Sequence, residues 1–156
     1  MKVLLLVANR SAVTGLIPSF QEAFFQLHID GKVFIVNEDK IYQKQRKELK
    51  KYIVDHGIDR LLCINDFCQN GEYLVDQEIA ELAHCYIWFV DSMYSMKTPD
   101  STLSLYEKVS SFEPKDTAHS SVYHKTIHYV PLTMGNNIFC TAPENVEKKY
   151  DISFVG

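Results

Sequence analysis

Short apolar runs recur along the first ninety residues at a spacing that leaves few folds open. Val3–Ala8, Lys32–Val36, Arg60–Ile64 and Cys85–Val90 are each five or six residues long, mostly apolar and rich in β-branched or aromatic side chains. Runs of this length read as strands buried on both faces. The segments between them carry helical spacing: Leu16, Phe20, Phe24 and Leu27, then Ile41, Leu49, Tyr52, Ile53 and His56, then Val75, Ile79 and Leu82. Pro18 fits a first helical turn; Gly31 is expected to close the first helical segment and Gly57 the second. Strands alternating with helices imply right-handed crossovers and a parallel sheet. The expected fold is therefore a Rossmann-like three-layer α/β/α domain with a mainly parallel sheet.

Beyond Val90 the pattern loosens. Ser92–Asp100 reads as a loop, Ser101–Tyr106 as a short helix, Val109–Phe112 as a short strand and Lys115–Lys125 as a helix. Ile127–Leu132 reads as the last strand, ended by Pro131. This divides the chain into a domain over 1–132, a polar connector over 133–149, and an apolar run over 150–156. That run, Tyr150–Gly156, opens a further C-terminal domain or forms a last edge strand. A chain of 156 residues is one domain's worth by length and buries its core without staples.

Composition excludes several functions. A net charge of −4 argues against nucleic acid held by a basic surface. Cys63, Cys68, Cys85 and Cys140 form no CxxC pair, so reduced thiols and a cytoplasmic location are expected. No run approaches the roughly 18 apolar residues of a membrane span. His84, His119, His124 and His128 lack zinc-site spacing, and no metal is expected. Lys40, Lys44, Arg46, Lys47, Lys50 and Lys51 crowd one helix, as a solvated face or as a weak peripheral contact with an anionic membrane.

Ligands of parallel sheets bind beyond the carboxyl ends of the strands. Asp91 and Ser92 follow the fourth run, Asn65 and Asp66 the third, and Glu113 the strand ending at Phe112. For each acid the plain alternative is a turn or helix cap. Asn9–Gly15 joins the first strand to the first helix, where backbone amides can receive a phosphate. Ser11, Thr14 and Gly15 are its candidate contacts, although neither GxGxxG nor GxxxxGK[ST] is present.

Three segments carry a resemblance: Trp88-Phe89-Val90-Asp91-Ser92; Val109-Ser110-Ser111-Phe112-Glu113; and Tyr129-Val130-Pro131-Leu132 followed by Tyr150-Asp151-Ile152-Ser153-Phe154-Val155-Gly156. In order and spacing they resemble the N-terminal half of glycosyltransferases of the GT-B architecture, in particular the bacterial group similar to spore-maturation proteins. That group has a W-x-x-D-S-P element, a strand ending in Phe-Asp, a Tyr-Leu-Pro-Leu element and a Ser-Phe-Val-Gly run. Met93 replaces its proline and Glu113 its aspartate. The resemblance covers the second half of the chain closely and the first half only in pattern. It implies an acceptor-side domain in which Asp91 is the base or acceptor-hydroxyl anchor, with Ser92 orienting Asp91 or the acceptor, and with Asn65, Asp66 and Glu113 on the acceptor side. It further implies a sugar acceptor, no cofactor bound by this domain alone, and a nucleotide-sugar donor held mainly by a second domain. A stand-alone, non-catalytic ligand-binding or protein-interaction domain is the alternative from another class.

Overall fold

A computed structural model describes residues 1–118, 120 and 124–131. The chain runs through β1 (Lys2–Ala8), α1 (Ser11–Thr14), α2 (Ile17–Gln26), β2 (Asp30–Val36), α3 (Tyr42–His56), β3 (Arg60–Ile64), β4 (Cys68–Gln69) and β5 (Glu72–Tyr73). It continues through α4 (Gln77–Leu82), β6 (His84–Phe89), α5 (Met93–Met96), α6 (Asp100–Leu103), β7 (Lys108–Ser111), α7 (Pro114–Ala118) and β8 (Ile127–Tyr129). Six strands form one sheet in the order β2-β1-β3-β6-β7-β8, and every neighbouring pair in it is parallel. The fold is the expected Rossmann-like α/β arrangement.

The order explains the layers. From β1 the chain steps outward to β2, then returns past β1 to β3 and keeps that direction through β6, β7 and β8. Right-handed crossovers must then place α2 on one face and the later helices on the other. The buried side chains divide in this way. Leu4, Leu6, Leu61, Cys85 and Ile87 pack with Leu49 and Ile53 of α3, Ile79 of α4 and Leu103 of α6. Val3, Leu5, Val7, Ile64 and Trp88 pack with Phe24 and Phe20 of α2. Alternation along β1 thus feeds both cores, which is why its sequence is apolar throughout.

Helix ends follow local chemistry. α3 stops at Gly57, whose φ is 58°, and the Ile58 amide donates to the Ile53 carbonyl at 3.0 Å, a Schellman closure. α2 closes the same way without glycine. His28 takes φ 55°, and the Ile29 amide donates to Phe24 O at 2.8 Å. Gly31 does not close that helix; it lies inside β2 under Phe24, where an added Cβ would fall 2.0 Å from the ring's Cδ2.

Other expectations are corrected. Ile41 is 70% exposed and precedes α3, whose buried face is Tyr42, Gln45, Leu49 and Ile53. Leu27 is exposed too. The segment read as a loop, Ser92–Asp100, contains α5 and the start of α6. The helix over Lys115–Lys125 is cut to Pro114–Ala118, since Ser120 and His124 lie in turns. There the Ser120 hydroxyl donates to Thr117 O and accepts from the Ile127 amide, which leads the chain straight into β8. Tyr129 ends β8; Leu132, the connector 133–149 and the run 150–156 lie outside the described residues. Among those described, no helix is long and apolar enough to cross a membrane.

Candidate functional site

β1 and β3 mark the point where the strand order reverses, and ligands of such sheets bind beside it, beyond the carboxyl ends. Asn65 leaves β3 there with φ 61°, a left-handed conformation that asparagine tolerates better than most residues. Its amide donates to Trp88 O at 2.9 Å, and its side-chain oxygen accepts from the Val90 amide at 2.7 Å. Its side-chain nitrogen then donates to Asp91 Oδ2 at 2.8 Å. Asn65 is therefore a clamp between β3 and β6, and its last bond orients an exposed carboxylate. Oδ1 of Asp91 makes no hydrogen bond among the described residues.

Ser92 does not orient Asp91. Its hydroxyl donates to Asp116 Oδ1 at 3.2 Å, while the Met93 amide and the Ser111 hydroxyl donate to Asp116 Oδ2 at 3.0 and 2.5 Å. Asp116, only 2% exposed, ties the loop after β6 to the end of β7 and to α7. Glu113 caps α7: its Oε1 accepts from the Lys115 amide at 3.2 Å, and its carbonyl accepts from the Asp116 amide. It is engaged as a helix cap.

Asp66 turns inward. It is 8% exposed and accepts a hydrogen bond from the Thr98 hydroxyl. Burial pushes its carboxyl above the usual range, against the lowering effect of that bond. Because the folded protein then binds the proton more tightly than the unfolded chain, stability falls as pH rises from the ordinary carboxylate pKa through the raised one. Asp66→Asn is accordingly expected to flatten this slope and to raise the melting temperature at pH 7 relative to pH 3.5, each compared with the parent protein in thermal melts. An unchanged difference between the two pH values would remove this account of Asp66.

Three residues near the switch point escaped the sequence reading. Tyr42 is buried at the start of α3, and its phenol is pushed up to about 12, first by burial and then by Glu38 and Cys68. Gln45 closes the β2–α3 loop from inside, accepting from the Asn37 amide at 2.8 Å and donating to Asn37 O at 2.7 Å. Gln69 in the β4–β5 hairpin donates to Glu38 O at 2.9 Å. The hairpin turns at Asn70 and Gly71, with φ of 53° and 80°. Asn-Gly is the turn that a two-residue hairpin prefers, and it was the available signal.

The segment after β1 is wound into α1. The Val13 and Thr14 amides, and the Thr14 hydroxyl, all donate to Arg10 O, at 3.1, 2.9 and 2.9 Å. Ser11 begins this turn and Gly15 follows it, exposed. Arg10 itself pairs with Glu38 at 2.5 Å. On α3, Arg46 donates to Tyr73 O and Leu74 O and pairs with Asp76. Lys50 meets Asp76 and Glu78, and Lys51 meets Asp55. Lys40, Lys44 and Lys47 flank a shallow depression beside Ile41. No cluster of metal-ligating side chains occurs among the described residues.

The structure thus joins Asn65 to Asp91, gathers Ser92 and Glu113 around Asp116, and leaves Asp66 with Thr98. No family model, curated protein or solved structure matches the chain.

Proposed function

We propose that this chain is the acceptor-side half of a glycosyltransferase that moves a sugar from a nucleotide-sugar donor to a hydroxyl acceptor, with Asp91 as general base. One observation carries the reading. Asp91 is an exposed carboxylate at the carboxyl end of an inner parallel strand, with one oxygen fixed by Asn65 and the other open. A base needs that combination of fixed direction and free lone pairs. In the proposed step the open Asp91 oxygen takes the acceptor hydroxyl's proton as the acceptor's own oxygen bonds to the donor's anomeric carbon. The bond to the nucleoside diphosphate breaks, and the diphosphate leaves with the electron pair. Asn65 acts as a positioning residue, and its bonds to Val90 and Trp88 make the direction of Asp91 a property of the sheet. The resemblance in Trp88–Ser92 and in the later segments supports the same assignment.

The test uses a protein that carries this chain together with its donor-binding domain. Asp91→Asn keeps the bond from Asn65 and removes the base, so turnover should fall by about a hundredfold or more with the donor KM little changed. Turnover at the parent rate would exclude Asp91 as the base.

A further inference from the structure

Among the described residues, one face of the sheet is covered only by α1, α2 and the turns around them. Past α2, the strands β6, β7 and β8 leave a groove of about 400 Å³, within the roughly 300–1,000 Å³ of small-molecule sites. Leu16, Phe20 and Ala23 form one wall; Leu62, Trp88 and Val130 line the floor and far side. Phe20 stands edge-on to Trp88 with ring centres 6.0 Å apart. Register gives the groove a direction. Trp88 lies beside Ser110, and Tyr86 beside Lys108, so one end is aromatic and apolar and the other holds a cation.

The polar groups along this groove are mostly committed. Trp88 Nε1 donates to Val130 O at 3.0 Å, and the Tyr86 hydroxyl donates to Glu107 Oε2 at 2.9 Å. β6 and β7, which supply most of the floor, are paired on both sides, which leaves their ladder groups unavailable to a peptide; β8 is the outer strand of the sheet among the described residues. An occupant with many amides or hydroxyls would leave them unsatisfied against apolar walls. A hydrocarbon chain loses nothing there. At the other end, Lys108 forms no ion pair among the described residues. The nearby carboxylate of Glu107 is engaged by His84 as well as Tyr86, and Arg60 lies over the Tyr86 ring at 5.8 Å.

We infer that this groove binds the hydrocarbon chain of a single-chain amphiphile whose anionic end sits at Lys108. The chain lies along Phe20, Ala23 and Trp88, and passes Ser110, which lies beside Trp88 and whose hydroxyl makes no hydrogen bond among the described residues. The site is independent of Asp91 and of glycosyl transfer.

Trp88 is the chain's single tryptophan, so its fluorescence reads the groove directly. Dodecanoate, kept below its micellar concentration, should change the emission of the 156-residue chain saturably and with one site per chain. Dodecyltrimethylammonium should bind about tenfold more weakly, since a charge-assisted contact is replaced by repulsion. Lys108→Gln should erase most of that preference. Ala23→Phe, or Ser110→Leu should the first fail to fold, should abolish the response while the circular dichroism spectrum is retained. No saturable response, or equal affinity for the two amphiphiles, would overturn the inference. So would a Trp88 emission that shifts with protein concentration alone, which would make a second copy of the chain the occupant.

Discussion

Replacing Asp116 with alanine should cost about 2–4 kcal/mol, since it strips the acceptor from two hydroxyls and a buried amide at once. That is a large share of a typical stability of roughly 5–15 kcal/mol. Urea unfolding followed by circular dichroism measures it, with an m-value close to that of the parent. Asp116→Asn keeps one acceptor and should lose about half as much. Asp91→Asn, at an exposed carboxylate, should stay within about 0.5 kcal/mol of the parent. The contrast separates the acid that holds the carboxyl edge together from the acid assigned chemistry. Equal losses at the two positions would dissolve that distinction.

Gly31→Ala should cost about 1–3 kcal/mol by overpacking, because the new methyl meets the Phe24 ring at 2.0 Å. The ring belongs to α2, and α2 is held against the sheet by the same aromatic cluster, with Phe20 and Phe24 rings 6.3 Å apart. Phe24→Leu on its own should also destabilise, by losing buried area. The double variant should lose less than the two costs combined, with a coupling of at least about 0.5 kcal/mol. Additive losses in denaturant titrations would show that helix and strand do not meet there.

The strand positions were legible because burial on both faces leaves a local signature. Arg60–Ile64 falls at the expected residues, and the other main strands differ by one to three residues at an end. Gly57 was legible for the same reason: a helix end with a left-handed residue is a local event. Gly31 was misread because its role depends on Phe24, seven residues earlier and one layer away. Ile41 follows the helical spacing yet faces solvent, since α3 begins one residue later and turns Tyr42 and Gln45 inward instead.

The candidate site was legible in part. Asn65 and Asp91 stand at the ends of adjacent strands, and that adjacency follows from the expected order of a parallel sheet. Their bond does not, because it needs the left-handed backbone at Asn65. Asp116 gave no signal at all. It sits in a segment that reads as an ordinary polar helix, and its three partners come from residues 92, 93 and 111.

The strand order also lets the sheet grow in the order of synthesis. β1 finds both of its neighbours within the first 64 residues, with Leu6 beside Phe34 on one side and Cys63 on the other. A chain leaving the ribosome can therefore complete one half of the sheet, β2-β1-β3, before its second half exists. β6, β7 and β8 then each join the strand laid down just before them. Growth proceeds at one edge only, and among the described residues no later strand returns to the outer side of β2.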